Sequence, residues 1–167
     1  TLRSAEHASP AAAARHYLTG LSTRLGPAYV PPCAGAFAVA TAVGGDTVVF
    51  TNSGWSFSQQ ATRRELGLSD LLILNDFEAL ALSLPRLRSK QLNPIGTALA
   101  TAVPGALAVI GPGTGLGVAG IVPTAHGWVA IPGEGGHASI SAADNHEDAL
   151  LAAVRREHAH VSAERLL

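Results

Sequence analysis

Residues 107–122 have the sequence LAVIGPGTGLGVAGIV, in which a glycine-rich turn joins two apolar runs. The runs Leu107–Ile110 and Val118–Val122 predict two strands, and the turn between them predicts an antiparallel hairpin. Glycines carry no side chain, so they let a ligand approach backbone N–H groups that can bind phosphate oxygens. The glycines of this turn are Gly111, Gly113, Gly115 and Gly117, and Thr114 adds a hydroxyl donor.

Two interpretations of this turn remain open. It lacks the Gly-Lys-Ser/Thr ending of a Walker A loop, and Leu116 stands where the Rossmann fingerprint has its third glycine. The predicted context is also strand, turn, strand, whereas both of those motifs lead into a helix. The turn is therefore either a plain hairpin turn or a phosphate-binding turn.

The first half of the chain alternates between helix and strand patterns. Ser9 and Pro10 predict the N-cap and first residue of a helix that ends at Gly26-Pro27. A second helix begins after a cap at Ser56 or Ser58 and ends at Gly67, and a third spans residues 77–84. Strands are predicted at residues 35–43, 47–51 and 71–74, the first two joined as a hairpin through residues 44–46.

Asn75 and Asp76 stand where an apolar strand gives way to a helix, a place where ligands gather in α/β sheets. In one interpretation Asp76 is a general base that accepts the proton of a substrate hydroxyl as its oxygen attacks phosphorus. In the other, it caps the following helix, a position where Asn and Asp are preferred.

Two further polar groups occur in the second half of the chain. Glu134 and His137 lie three residues apart in the glycine-flanked loop 132–137, where they suit a ligand with many hydroxyls or are simply solvated. Glu164, near a predicted helix start, either accepts hydroxyl hydrogen bonds or serves as a first-turn acid. Asn145 is predicted to be the N-cap of a helix that follows it in the sequence.

The composition excludes several classes of protein. Of the 167 residues 47% are hydrophobic and 14% charged, which predicts a folded chain with a substantial core. The net charge of −1, without blocks of like charge, argues against nucleic acid as a partner. The apolar runs are too short or too interrupted by glycine to span a membrane, and the chain holds no methionine, so we expect its first residue not to be a natural start. The simplest interpretation is a cytoplasmic protein.

Four other residues receive structural interpretations. Cys33, the single cysteine, has no disulfide partner within the chain and is expected to be a small buried hydrophobe. Trp55 is expected to cover the edge of a core. His158 and His160 do not share a helix face, and no Cys or carboxylate cluster accompanies them, so no metal site is assigned.

Taken together and in order, these segments resemble the bacterial-type glucokinase family of the hexokinase and actin-like ATPase superfamily. The resemblance lies in residues 51–57 (TNSGWSF), 74–77 (LNDF), 111–117 (GPGTGLG), 132–137 (PGEGGH) and 160–165 (HVSAER). It implies phosphorylation of the 6-hydroxyl of glucose by ATP, with Mg²⁺ bridging phosphates, in glycolysis. By position it implies that Asp76 is the catalytic base, and that the second phosphate-binding loop is residues 111–117. Glucose is implied to bind at Asn75, Asp76, Glu134, His137 and Glu164.

The resemblance also implies the architecture. The fold is α/β, a partial actin-like ATPase (ribonuclease H-like) fold with most of the small domain and the start of the large domain. We expect the small domain at 1–85, a connection at 86–105 and the large domain from 106 to 167. The family's first phosphate loop and its C-terminal helical region have no counterpart here, so the 167 residues by themselves are expected to be weakly active or inactive. Family members are often dimers, which implies a homodimer of the complete protein.

Two functional alternatives stay open. A non-catalytic sugar-binding or regulatory module would keep Glu134, His137 and Glu164 without needing Asp76. A kinase for another hexose would keep the chemistry and change only the pocket, since epimers differ in the direction of one hydroxyl. The related zinc-containing sugar kinases and repressors are disfavoured, because their cysteine-rich motif cannot be formed with Cys33 alone.

Overall fold

The computed structural model describes residues 2–50, 54–96, 105–113 and 115–167. Contacts divide the chain into two compact units, Thr1–Asp76 and Phe77–Leu167. The expected domain connection at 86–105 stays a prediction; its described part contains a 3-10 turn at Ser89–Gln91. In the part of the chain that the structure describes, no helix is long and apolar enough to cross a membrane.

The first unit opens with helix α1, Pro10–Leu25, which confirms the predicted element. The Ser9 hydroxyl accepts a hydrogen bond from the Ala12 N–H at 3.1 Å, as a helix N-cap does. Gly26 ends the helix with a φ of 52°, a conformation that glycine adopts without steric cost. The cap and the stop were both visible in the sequence.

Strands β1 (Ala34–Val39), β2 (Thr47–Val49), β3 (Ser56–Ser58) and β4 (Asp70–Asn75) follow, with helix α2 (Gln59–Glu65) before β4. Strand β1 pairs in parallel with β4, from Ala34 opposite Asp70 to Val39 opposite Asn75. Strand β2 pairs antiparallel with β3. The core of this unit is formed by Val39, Val48, Phe57, Leu68, Leu71 and Ile73.

The predicted hairpin of β1 and β2 is therefore wrong. Strand β4 offers β1 six paired positions rich in Leu and Ile, whereas β2 has only three residues. The Asp46 carboxylate accepts hydrogen bonds from the Ser58 hydroxyl at 2.5 Å and from the Gln60 N–H at 2.8 Å. These bonds fix the turn before β2 to the start of α2, which leaves β1 to pair with β4.

Two side chains of this unit test the sequence predictions directly. The Trp55 ring meets the Phe50 ring edge-on at a centroid distance of 5.8 Å, and Phe50 packs against the core, which confirms that Trp55 covers a core edge. Cys33, in contrast, is exposed, so its expected burial is wrong. It precedes β1, where its carbonyl accepts hydrogen bonds from the Ser69 N–H and hydroxyl while its side chain faces outward.

Helix α3, Asp76–Ser83, begins at the junction of the two units, and the second unit contains a three-stranded antiparallel sheet. Its strands are β5 (Leu107–Pro112), β6 (Leu116–Thr124) and β7 (Gly127–Gly133), in that order. The predicted β5–β6 hairpin is confirmed, with Pro112 opposite Leu116. The sequence did not predict β7, because the glycines and proline of GWVAIPG conceal the strand pattern.

The core of the second unit lies between this sheet and α3. Ala81, Ala119 and Ile121 are buried there, and Phe77 and Val109 pack against them. Helix α4 spans Asn145–Val154, and its N-cap is Asp144 rather than the predicted Asn145. Asp144 is the residue with extended backbone, so its carboxylate can accept the Glu147 N–H at 2.8 Å.

Candidate functional site

The second unit brings Glu134, His137 and Glu164 together. The 3-10 turn Gly135–His137 follows β7, and a second 3-10 turn, Glu164–Leu166, lies near the end of the chain. The His137 ring lies between the two carboxylates, with Nε2 3.7 Å from Glu134 Oε2 and Nδ1 3.7 Å from Glu164 Oε1. Two carboxylates and an imidazole within this distance offer several hydrogen-bonding groups to a ligand with hydroxyls.

The three side chains differ in exposure. The Glu134 side chain is 78% exposed and that of His137 is 59% exposed, whereas that of Glu164 is 31% exposed. Glu164 is also tied to the backbone, since its Oε2 accepts the Leu116 N–H at 2.8 Å. Glu164 is thus the most firmly held of the three groups.

A cleft of about 590 Å³ adjoins this cluster within the second unit. It is bordered by Pro112, Gly113, Gly115, His137, His160, Ser162, Glu164, Arg165 and Leu167. One wall is therefore the β5–β6 turn, whose glycines present backbone without side chains, and another includes the basic residue Arg165. Exposed backbone N–H groups together with a basic residue suit a phosphate group.

The β5–β6 turn itself is tight. The Gly113 N–H donates to the Gly115 carbonyl at 2.7 Å. At Gly117, an added Cβ would overlap the Phe77 ring, so this position needs glycine for packing on α3. Thr114, predicted as a hydroxyl donor to phosphate, lies outside the described residues.

Asn75 and Asp76 belong to the first unit, and the structure places them as the sequence predicted, at the end of β4 and the start of α3. Both side chains are partly buried. The Asn75 amide Nδ2 donates to the Thr41 carbonyl at 3.4 Å, which ties the end of β4 to the segment after β1. This contact orients the residue next to Asp76.

His160 and Arg165 border the cleft although the sequence gave them no role. His160 Nε2 lies 3.0 Å from the Ser139 hydroxyl, and an isolated bridge pairs Ser139 with Ser162. Both residues lie within the motif 160–165 (HVSAER), which was the signal that could have pointed to them. Within the described ranges, no group of three His, Cys, Asp or Glu side chains could hold a metal ion.

The sequence pattern of the glucokinase family matches residues 1–167. The chain belongs to the glucokinase family. A glucokinase of Chromobacterium violaceum is 52% identical over 132 residues, covering 79% of this chain and 38% of that protein. A glucokinase of Paramagnetospirillum magneticum is 43% identical over 168 residues, covering 99% of this chain and 50% of that protein.

A solved structure of this family shares the fold. The crystal structure of a glucokinase from an Antarctic psychrotroph matches with a TM-score of 0.84 at 36% identity, over 98% of this chain and 48% of that one. The expected partial actin-like ATPase fold is thereby confirmed. The chain spans half or less of the length of the curated relatives it matches.

Proposed function

We propose that the protein containing this chain transfers the γ-phosphoryl group of ATP to the 6-hydroxyl of glucose. The observation that carries this proposal is the match to the glucokinase family over residues 1–167. The cluster of Glu134, His137 and Glu164 supports it, because these groups suit a polyhydroxylated ligand. The reaction would supply glucose 6-phosphate at the entry to glycolysis.

In this proposal Asp76 is the catalytic base. Its carboxylate accepts the proton of the 6-hydroxyl as the oxygen attacks the γ-phosphorus, and Asn75 orients the same hydroxyl. Glu134, His137 and Glu164 hold the rest of the ring. Fixing the acceptor in this way matters because phosphoryl transfer depends chiefly on positioning and on charge stabilisation.

The phosphates of ATP are assigned to the β5–β6 turn. Gly113 and Gly115 border the cleft there, and we assign Gly111, Thr114 and Gly117 to the same loop from the family resemblance. Mg²⁺ would bridge phosphate oxygens and offset their charge. None of the residues in the described ranges is assigned as its ligand.

The first test replaces Asp76 with Asn in the complete protein. We expect kcat to fall about 10²- to 10⁴-fold, the usual contribution of a general base, because the amide cannot accept the proton. Glucose affinity, measured by calorimetry, should change little. The matched control is Asp70→Asn at the exposed opposite end of β4, which should leave kcat unchanged.

Two outcomes of this test would contradict the proposal. If Asp76→Asn keeps the wild-type turnover, Asp76 is not the base. If the wild-type protein binds glucose but forms no sugar phosphate, it is a sugar-binding or regulatory module. Faster phosphorylation of another hexose would retain the mechanism and change the substrate.

Two further proposals concern the complete protein. We place it in the cytoplasm, where ATP is available as the donor. We also propose that it forms a homodimer, as the family resemblance implies. Light scattering on the purified protein would give its molar mass and so distinguish monomer from dimer.

A further inference from the structure

Leu116, at the start of β6, is enclosed by two elements of the candidate site. Its N–H donates to Glu164 Oε2 at 2.8 Å. On its carbonyl side it lies against Gly136, where an added Cβ would overlap the Leu116 carbonyl oxygen and come within 2.9 Å of the carbonyl carbon. The 3-10 turn that carries His137 and the one that carries Glu164 therefore contact the two successive peptide groups on either side of the Leu116 Cα.

Gly115 shows how closely Glu164 approaches this turn. An added Cβ there would overlap Oε2 of Glu164 and lie 2.8 Å from its Cδ. The closeness of the carboxylate by itself leaves no room for a side chain at Gly115. The Glu164 carboxylate therefore packs directly against the β5–β6 turn.

The two oxygens of Glu164 face different groups. Oε2 is engaged by the Leu116 N–H, whereas Oε1 lies 3.7 Å from His137 Nδ1, beside the cleft. A carboxylate whose one oxygen fixes the backbone can present the other only in a limited range of directions. A ligand bound at Oε1 would in turn restrain the peptide held by Oε2.

We propose that Glu164 is a positioning residue for the phosphate-binding turn, in addition to its proposed contact with the sugar. It sets the place of the Leu116 peptide and thereby links sugar binding to the binding of the phosphoryl donor. The donor part of this inference rests on the proposed function. The link between Glu164 and the turn rests on the contacts alone.

Two substitutions of Glu164 separate the two tasks. Glu164→Gln keeps a carbonyl oxygen that can accept the Leu116 N–H, but it replaces the other oxygen with an NH₂ group and removes the charge. Glu164→Ala removes both oxygens. The matched control is Glu134→Ala, because Glu134 lies equally far from His137 and its side chain is mostly exposed.

The first measurement is hydrogen exchange of the Leu116 amide in the complete protein without any ligand. Glu164→Ala should speed this exchange about 10- to 100-fold, the effect expected from losing a hydrogen bond to a charged group. Glu164→Gln should change it less, and Glu134→Ala should leave it at the wild-type rate. Unchanged exchange in Glu164→Ala, or equal acceleration in Glu134→Ala, would overturn the proposal.

The second measurement is the affinity for the non-hydrolysable ATP analogue AMP-PNP with and without glucose. In the wild type, glucose should tighten AMP-PNP binding. Glu164→Ala should weaken AMP-PNP and abolish this linkage, whereas Glu164→Gln and Glu134→Ala should weaken glucose binding and retain AMP-PNP binding without sugar. If Glu164→Ala binds AMP-PNP as the wild type does, with and without glucose, Glu164 does not link the two binding sites and that part of the proposal is overturned.

Gly115→Ala provides an independent variant should Glu164→Ala fail to fold. Its methyl group should displace the Glu164 carboxylate and so speed exchange of the Leu116 amide relative to the wild type. Exchange as slow as in the wild type would contradict the proposal. The hydrogen-exchange results could agree with these predictions while the protein fails to phosphorylate glucose. That combination would refute the proposed function and leave the positioning role of Glu164 intact.

Discussion

At Asp46, one carboxylate links the turn before β2 to the start of α2. Hydrogen bonds from the Ser58 hydroxyl and then from the Gln60 N–H hold the pKa of Asp46 below its ordinary value of 3.8. Desolvation opposes them, and the positive charge of Arg64 adds the smallest lowering effect. A lowered pKa in the folded state means that the ionised carboxylate stabilises the fold. That stabilisation is complete above the unfolded-state pKa and is lost as the pH falls through the folded-state value.

Asp46→Asn should therefore lower the free energy of unfolding at neutral pH, and the difference from the wild type should shrink below about pH 4. Urea unfolding of both proteins across this range measures the difference. Asp70→Asn removes the same charge from an exposed position in the first unit and serves as the control. A difference that stays constant down to about pH 2 would show that the Asp46 charge does not stabilise the fold.

Single residues were predicted best where the signal was local. Ser9 caps α1 as predicted, Ser58 is the one of the two candidates that caps α2, and α3 begins at Asp76, one residue before the predicted start. The bond between Glu164 and the Leu116 peptide could not be predicted, because 48 residues separate the two and nothing in a sequence specifies a long-range side-chain partner. The catalytic and binding roles of the site residues came from the family resemblance and stay predictions.

At the scale of elements, the two predicted hairpins had opposite outcomes. The β5–β6 hairpin was correct because a short glycine-rich turn joins two apolar runs that pair directly across it. The β1–β2 hairpin was wrong because β1, an apolar run, found a longer apolar partner in β4, and because Asp46 binds α2. Turn residues indicate a change of direction, but the available partner decides the pairing.

The packing of β6 on α3 gives a prediction at this scale. Gly117→Ala would place a methyl group into the Phe77 ring, and such overpacking costs about 1–3 kcal/mol. Gly120→Ala, in the same strand, would place its methyl group 3.7 Å from Ile131 Cβ, and we expect it to cost less than about 1 kcal/mol. Denaturant unfolding compares the two variants. Equal stabilities would show that Phe77 does not pack on Gly117 in solution.

For the whole molecule, the fold class could be predicted because the order and spacing of several motifs match one family. The predicted domain bounds 1–85 and 106–167 stay predictions, whereas the compact units Thr1–Asp76 and Phe77–Leu167 are defined by contacts between distant segments. The expectation that these 167 residues by themselves are weakly active or inactive also stays a prediction. Measuring kcat for this chain alone checks it.

The most direct test of the central claim is to identify the product by ³¹P NMR. The complete protein is incubated with glucose, ATP and Mg²⁺, with galactose in a parallel sample. We predict glucose 6-phosphate and ADP in equal amounts, with far less product from galactose. Conversion of ATP to ADP and free phosphate without any sugar phosphate, or no consumption of ATP at all, would contradict the assignment of this chain to a glucose-phosphorylating enzyme.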